Sequence, residues 1–253
     1  MEKIIYVWKP VGLTPLELVE KFKEKYAEYK NETISYAGRL DPMTEGILVL
    51  LIGEENKNRE KYLGLKKEYE SEIIFGISTD TFDSLGLIEQ FDFKEIPKLE
   101  IEKSLKSFIG KQKQFYPPYS SKAVKGKPLF WWARNGKINE IEIPQRQIEI
   151  YSIEILEASQ IEVSELVEKI LDQIKNVKGD FRQDEIMKEW EKFGQKYGSQ
   201  KLVNLKIKVS CSSGTYIRRI ADDLGKKLGT NAFAYSIKRI RIGDVLENEV
   251  IKI

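Results

Sequence analysis

The sequence predicts an α+β protein. Strand-like and helix-like segments follow one another irregularly, without the strict β–α–β order of a parallel-sheet protein. Some strand-like segments are continuous apolar runs, as at residues 46–53, and others alternate apolar and polar residues, as at residues 146–158. With 253 residues, 41% of them hydrophobic and 11% aromatic, the chain can bury a sizeable core.

The N-terminal segment predicts a strand, a helix and a second strand. Residues 3–12 form a short strand that ends in a turn at Pro10 and Gly12. A helix follows, with Thr14 as its N-cap and a proline at its first position. Residues 46–53 predict a strand that is buried on both faces.

The rest of the chain supplies further strands and helices. Residues 56–91 predict a short helix, a strand, a polar loop and another strand, and residues 101–110 predict a helix. Residues 115–137 predict a proline-rich turn, a hairpin and a helix, and residues 146–158 predict a long strand. Two charged helices (162–177 and 184–194), a strand with a tight turn and a helix (201–229) and a last strand (233–245) complete the chain. We expect one domain over residues 1–253, in which 160–200 is a helical insertion with a solvated surface. A partner-binding hairpin is the alternative for that insertion.

The amino-acid composition excludes several kinds of catalytic and metal site. The chain has no histidine and one cysteine, Cys211, which excludes Ser-His-Asp and Cys-His nucleophile systems, most zinc sites and an internal disulfide. The net charge of +2 does not indicate a strongly basic nucleic-acid binder, so any RNA surface must arise from local charge. No apolar run approaches the roughly 18 residues of a membrane span, and no signal-peptide pattern is present. We therefore expect a cytoplasmic protein without membrane association.

Asp41 is the first candidate catalytic residue. Pro42 restricts Asp41 to extended backbone, and Gly38 and Gly46 let the loop bend on either side. An aspartate in such a loop commonly accepts hydrogen bonds from the loop's own amides. A carboxylate nucleophile also requires an aspartate held firmly at the end of a core strand. Both interpretations are open on this pattern.

Arg218 and Tyr69 are the next candidates. Arg218 lies near the start of a helix that we predict to be capped by Thr215, where the helix dipole does not favour a cation. It is either an ordinary surface arginine or one held there to pair with a carboxylate. Tyr69 shares a strand face with apolar residues and is either a core aromatic or a functional ring. Asp80 and Asp83 lack the rest of a calcium loop, so we interpret them as capped turns and predict no metal site.

Positive charge is interleaved with aromatic residues in several segments, a mix that suits an RNA backbone with stacked bases. The alternation at residues 239–242 predicts a strand that buries its isoleucines and lines the other face with arginines. Solvated side chains are the plainer interpretation. The candidates for RNA contact in these segments are Lys9, Lys122, Lys125, Lys127, Arg134, Arg219, Arg239 and Arg241.

Taken in order, five segments resemble motifs of the TruB family of tRNA pseudouridine synthases. They are KPVGLTPLELV (9–19), AGRLDPMTEGILVLLIGEENK (37–57), KEYESEIIFGISTDTFDSLG (67–86), PPYSSKAVKGKPLFWWARNG (117–136) and CSSGTYIRRIADDLGKKLG (211–229). The resemblance implies the pseudouridine synthase catalytic fold, a central, mostly antiparallel mixed sheet flanked by helices and loops. The positions that carry these motifs are Pro10, Gly12, Gly38, Leu40, Pro42, Gly46, Gly214 and Tyr216.

The resemblance also implies a reaction. A uridine is flipped out of the tRNA T-loop, its base is detached from the ribose, rotated and rejoined through carbon. Asp41 is then the nucleophile or base, Tyr69 stacks on the target base, and Arg218 is the partner of Asp41. No cofactor or metal is expected, since the bond made replaces the bond broken. The expected partner is the T-arm of tRNA, bound by a monomer.

The sequence departs from the family pattern in four places. Tyr36 stands where many members have histidine, and Ala123 stands where the family usually has lysine. Arg39 makes the motif read Gly-Arg-Leu-Asp, which also occurs in the RsuA/RluA-type synthases for ribosomal RNA. Tyr36 and Arg39 are two further candidates for RNA contact. The chain ends where the catalytic domain would, so we expect no C-terminal PUA-type RNA-binding domain. Three hypotheses follow: a synthase for uridine 55 of tRNA, a synthase for another RNA, or a tRNA-binding module without catalysis.

Overall fold

The computed structural model describes residues 2–253. Its strands are β1 (Ile4–Lys9), β2 (Ile34–Ala37), β3 (Thr44–Ile52), β4 (Lys67–Phe75), β5 (Ile77–Thr79), β6 (Ile88–Phe91), β7 (Gly110–Phe115), β8 (Ala123–Val124), β9 (Lys127–Pro128), β10 (Gln145–Glu162), β11 (Lys201–Cys211), β12 (Ala232–Ile242), β13 (Val245–Leu246) and β14 (Ile251–Lys252). Its α-helices are α1 (Pro15–Lys25), α2 (Arg59–Leu63), α3 (Lys98–Lys106), α4 (Leu129–Arg134), α5 (Val163–Lys175), α6 (Gln183–Tyr197) and α7 (Ile217–Lys227).

One large sheet organises the molecule, with the strand order β14-β1-β3-β12-β4-β11-β10-β7; β2 also pairs with β3, and β13 with β12. The pairs β1–β14 and β3–β12 are parallel, and the other pairs in this sheet are antiparallel. The expected α+β class and mostly antiparallel mixed sheet are therefore confirmed. The parallel pair places Arg239 of β12 directly beside Gly46 of β3.

Of the two N-caps predicted for helices, one is present in the structure and the other is not. At α1, the Thr14 side chain accepts a hydrogen bond from the amide of Glu17, and the Glu17 carboxylate accepts one from the Thr14 amide, so the predicted cap is confirmed. The predicted Thr215 cap of α7 is wrong. That helix begins one residue later with Tyr216 at the cap position, and the Thr215 hydroxyl donates to the Ser212 carbonyl within the preceding turn.

The alternation predicted for β12 is also wrong. The register between β12 and β4 shifts between Arg239 and Arg241, and such an irregularity breaks the two-residue alternation of side chains. As a result Arg239 is buried, Ile240 is only half-buried, and Arg241 is partly exposed at the edge of the core.

Helices α5 and α6 pack on the sheet as a pair. Their inner faces bury Ile170, Ile186 and Trp190, and the Trp190 ring lies 5.6 Å from that of Phe233 on β12. The two helices predicted within 160–200 thus bury their apolar faces against the sheet, and their opposite faces are solvent-exposed. Strand β10 also extends to Glu162, so the helical segment begins later than expected. None of the helices in residues 2–253 has the length and apolar content needed to cross a membrane.

Candidate active site

Asp41 lies in the loop between β2 and β3, and its carboxylate is held by an arginine. Arg218 Nε donates a hydrogen bond to Asp41 Oδ2 over 2.9 Å. Within residues 2–253 this is the only hydrogen bond to the Asp41 carboxylate, so Oδ1 accepts none from the protein. The Asp41 side chain is 33% exposed. The loop-capping interpretation is thus replaced by a carboxylate that is fixed on one oxygen and open on the other.

Arg218 itself is almost fully buried, at 2% exposure. Its Nη1 donates to the carbonyl of Thr81 over 2.7 Å, and its Nη2 donates to the carbonyl of Tyr119 over 2.9 Å. Asp83 Oδ2 lies 3.9 Å from its Nε. Two carbonyls and two carboxylates therefore offset the cost of burying this guanidinium and fix its plane.

Asp83 is a second buried carboxylate beside Arg218. Its Oδ1 accepts hydrogen bonds from the Thr81 hydroxyl and the Leu85 amide, which confirms the predicted turn. Burial raises the pKa of Asp83 to about 6, while the Arg218 guanidinium acts in the opposite direction and Asp41 adds to the rise. The site thus contains one partly exposed carboxylate and one buried carboxylate that share an arginine.

The loop that carries Asp41 is supported from inside by Arg239. Its Nε donates to the Ile47 carbonyl over 2.8 Å, and its Nη2 donates to the Gly38 carbonyl over 2.9 Å. Gly46 has φ +122°, and a β-carbon there would clash with the Arg239 backbone. Arg239 is 1% exposed, and its guanidinium donates to two carbonyls of the loop and of β3. The expectation that it contacts RNA is therefore wrong.

Lys9 is likewise buried beneath the loop rather than exposed to RNA. It is 0% exposed, and its ammonium donates to the carbonyls of Pro10, over 2.8 Å, and Pro42, over 3.4 Å. Burial lowers the pKa of Lys9 to about 7, and the nearby Asp41 carboxylate partly opposes that shift. The RNA contact expected for Lys9 is wrong, because its charged end faces the backbone of the two proline turns.

Tyr69 lies on β4, paired in register with Arg239, and is 7% exposed. Burial raises the pKa of its hydroxyl, so the phenol stays protonated at neutral pH. A phenol that stays protonated can donate a hydrogen bond but is not available as a phenolate base.

Tyr216 is fixed by a residue that the sequence did not indicate. The Gln114 side chain accepts from the Tyr216 amide, over 2.8 Å, and donates to its carbonyl, over 3.1 Å. The Tyr216 ring lies 5.6 Å from the Arg218 guanidinium and 5.7 Å from the ring of Tyr116. A lone glutamine in a polar strand carries no sequence signal for this contact, which arises only when β7 meets the turn before α7.

The other motif positions shape the backbone. Gly12 has φ +95° and Gly214 has φ +79°, conformations that favour glycine, and Gly38 has φ +82° in the Asp41 loop. Leu40 is buried at 3% exposure beside the loop. The Pro42 carbonyl accepts from the Gly12 amide over 2.9 Å, which ties the two proline turns together.

The remaining basic candidates divide into exposed and paired side chains. Arg39, Lys122, Lys125 and Lys127 are exposed, and Arg39 donates to the hydroxyl of half-buried Tyr36. Lys125 and Gly126 both have positive φ and form the two-residue turn of the β8–β9 hairpin, as predicted. Lys122 lies 5.6 Å from the Tyr116 ring and Lys127 3.9 Å from the Trp131 ring, an arrangement of cations on aromatic rings.

Three arginines among the candidates are already paired with carboxylates. Arg134 contacts Asp180 and Arg241 lies 3.9 Å from Glu68, each with roughly a third of its side chain exposed. Arg219 is 16% exposed and is bound by the two acidic residues that follow it on α7, Asp222 and Asp223. These pairs leave the exposed lysines and Arg39 as the stronger candidates for RNA contact.

Comparison with known proteins identifies the family of this chain. A family model described as TruB family pseudouridylate synthase (N terminal domain) matches residues 25–172. The chain is 33% identical over 243 residues to a tRNA pseudouridine synthase B of Caldicellulosiruptor saccharolyticus, covering 96% of this chain and 68% of that protein. It is 27% identical over 253 residues to the protein of the same description from Aquifex aeolicus, covering 100% and 72%.

Solved structures share the fold. A Cbf5–Nop10–Gar1 complex contains a chain that matches 99% of this one with a TM-score of 0.60 at 21% identity, over 52% of its own length. An H/ACA ribonucleoprotein bound to a substrate RNA containing 2′-deoxyuridine matches with a TM-score of 0.57 at 20% identity. The family model and the curated relatives define a pseudouridylate synthase. More particularly, the chain belongs to the TruB family.

Proposed function

We propose that this protein converts uridine to pseudouridine in tRNA, at uridine 55 of the T-loop, with Asp41 as nucleophile. The observation that carries the proposal is the 2.9 Å contact between Arg218 Nε and Asp41 Oδ2, which leaves Oδ1 open. The relatives described as tRNA pseudouridine synthase B support tRNA as the substrate class.

The reaction is an isomerisation in which one bond to the ribose replaces another. The Asp41 Oδ1 atom attacks C1′ of the flipped uridine, and the N1–C1′ bond breaks with its electron pair going to the uracil ring. The uracil rotates and its C5 attacks C1′, which releases the carboxylate. The C5 proton then leaves to solvent and N1 takes up a proton, so that atoms and charge balance. Arg218, which donates to Asp41 Oδ2, would keep the Asp41 carboxyl group oriented while Oδ1 attacks and while it departs.

Tyr69 would hold the detached base. Its ring, close enough to Asp41 for that carboxylate to affect the pKa of its hydroxyl, would offer a stacking surface, and its protonated hydroxyl would offer a donor to a uracil carbonyl. A base that is free of the ribose for part of the cycle must be retained, and a buried aromatic ring retains it without fixing its rotation.

The exposed basic side chains would hold the tRNA. Arg39 next to the Asp41 loop and the three lysines of the β8–β9 hairpin region provide charge for phosphates, and Tyr116 and Trp131 provide flat surfaces. We propose that the protein binds the T-arm as a monomer and works in the cytoplasm with tRNA.

The test is to incubate the purified protein with an unmodified tRNA transcript and map pseudouridine by position, with Asp41→Asn as the matched control. Pseudouridine at uridine 55, lost in Asp41→Asn while tRNA binding persists, would support the proposal. Pseudouridine at another position or only in another RNA would replace the proposed substrate. Binding without modification by the wild-type protein would instead favour a tRNA-binding module.

A further inference from the structure

The connection between α5 and α6, residues 176–182, packs against three segments of the active site. The amide of Lys178 donates to the Gly12 carbonyl over 3.0 Å, and Gly12 lies so close to Asn176 that a β-carbon there would clash with its backbone. Arg134 donates to the Asp180 carbonyl over 2.8 Å. The connection therefore meets the turn that follows β1 and the end of α4, as well as the loop after β5 through Arg182.

Arg182 forms the most specific of these contacts. Its Nη1 donates to Asp80 Oδ2 over 2.8 Å and its Nη2 to Asp80 Oδ1 over 3.2 Å, a two-pronged pair in which the side chains are 19% and 16% exposed. The Tyr119 ring lies 4.6 Å from the Arg182 guanidinium. Burial, and then the Asp80 carboxylate, raise the pKa of Tyr119, so its hydroxyl stays protonated near Asp80.

The backbone of Arg182 is also unusual. Its φ of +64° and ψ of +28° place a non-glycine residue in the left-handed region, immediately before α6 begins. Long side chains rarely adopt this conformation, and the surrounding contacts must compensate for its cost. The two-pronged pair with Asp80 is one contact that does so.

The segments bound by Arg182 are the ones that hold Arg218. Arg218 binds the carbonyls of Thr81, the residue after Asp80, and of Tyr119. Arg182 binds the side chains of Asp80 and Tyr119. Both arginines thus hold the same two segments, one by side chains and the other by backbone carbonyls.

From this arrangement we infer that Arg182 is a positioning residue for the reaction: it fixes the Asp80–Thr81 and Tyr119 segments so that Arg218 holds Asp41 in the orientation for attack. The inference rests on the proposed function. It assigns the α5–α6 connection a task in catalysis rather than in RNA binding, because Arg182 is largely covered and already paired. A displacement of about 1 Å at a reacting group can lower a rate by about 100-fold.

The experiment measures single-turnover pseudouridine formation and tRNA binding for Arg182→Gln, Asp80→Asn and the double variant. We expect each single change to lower the rate of the chemical step by about 10- to 100-fold, with the Kd for tRNA within about threefold of wild type. The double variant should be no slower than the slower single variant, because both changes break one pair. Arg182→Lys keeps the charge but not the two-pronged geometry, so its rate should lie between that of wild type and that of Arg182→Gln.

Lys169→Gln is the matched control. It removes an exposed ion pair with Glu165 on the same helical pair, so it should leave both rate and Kd unchanged. A fall in melting temperature for Arg182→Gln with an unchanged rate at 25 °C would overturn the inference and leave a structural role. A raised Kd with an unchanged rate would also overturn it, because Arg182 would then contact RNA.

Hydrogen–deuterium exchange gives a second readout that needs no activity. In Arg182→Gln and in Arg182→Lys, peptides that cover residues 79–85 and 117–122 should exchange faster than in wild type, and those of α1 should not. Unchanged exchange in these peptides would overturn the inference. If the wild-type protein forms no pseudouridine, the proposed function fails, while this measurement still decides whether Arg182 orders the two segments. If Arg182→Gln does not fold, the exchange of the same peptides in Arg182→Lys and Asp80→Asn is compared with that in wild type.

Discussion

Arg218 and Asp41 are separated by 177 positions in the chain, and their side chains meet with 2.9 Å between Nε and Oδ2. The arginine is buried and the aspartate is partly exposed, so the pair presents the Asp41 carboxyl group in the loop before β3 while the guanidinium stays inside.

Replacement of Arg218 by lysine should lower the single-turnover rate by about 100-fold or more. A lysine ammonium cannot bind Asp41 and two backbone carbonyls in the planar geometry of a guanidinium, so Asp41 loses its orientation. The Kd for tRNA should stay within about twofold. The control is Arg219→Lys, at the neighbouring position, whose side chain pairs with α7 carboxylates. Equal rates for the two lysine variants would contradict the role given to Arg218.

Arg239→Ala should lower the free energy of unfolding by about 3 kcal/mol or more, because it opens a cavity and leaves the carbonyls of Ile47 and Gly38 without their donors. Arg241→Ala on the same strand should change it by about 0.5 kcal/mol or less, since that side chain is partly exposed and only weakly paired. Urea unfolding of both variants measures the difference. A comparable loss in both would show that burial of Arg239 is not what matters.

Asp83 should make stability depend on pH. Its pKa is raised from 3.8 to about 6 in the folded state, so between these values the folded protein binds more protons than the unfolded chain. The contribution of Asp83 to stability is therefore present at low pH and is lost as the pH rises through about 4 to 6. Relative to Asp83→Asn, the wild-type protein should lose up to about 3 kcal/mol between about pH 4 and about pH 7.

Urea unfolding of the wild-type protein and Asp83→Asn across this pH range measures the effect. Both proteins share every other titrating group, so the difference between their curves isolates Asp83. A difference that stays constant, or that grows in favour of the wild-type protein as the pH rises, would contradict the prediction.

The double change Lys122→Gln and Lys127→Gln should weaken tRNA binding without slowing the chemical step. If both lysines contact phosphate, the slope of log K against log salt should become shallower by roughly 1.5. Lys169→Gln, an exposed lysine on α5, removes a similar charge elsewhere on the surface and serves as the control. An unchanged slope in the double variant would remove the hairpin region from the RNA surface.

Much of the local structure could be predicted from the sequence. The Thr14 cap, the apolar strand behind Asp41 and the hairpin turn at Lys125 and Gly126 depend on neighbouring residues, and each is present. The predicted Thr215 cap was wrong because the Thr215 hydroxyl donates instead to the Ser212 carbonyl of its own turn. Asp83 was correctly read as a turn residue, but its position beside Arg218 had no signal in the chain.

The amino-acid sequence by itself determined the order of the motifs, the class of fold and the identity of Asp41, Tyr69 and Arg218 as candidates, because these follow from residue type and short-range spacing. Only the tertiary structure decided which charges face solvent. Lys9 and Arg239 look like RNA contacts in the sequence, yet packing buries both under the Asp41 loop. The structure likewise brought Arg182 to Asp80 across 102 positions. Burial and pairing of a charge depend on what distant segments place around it, and no local pattern encodes that.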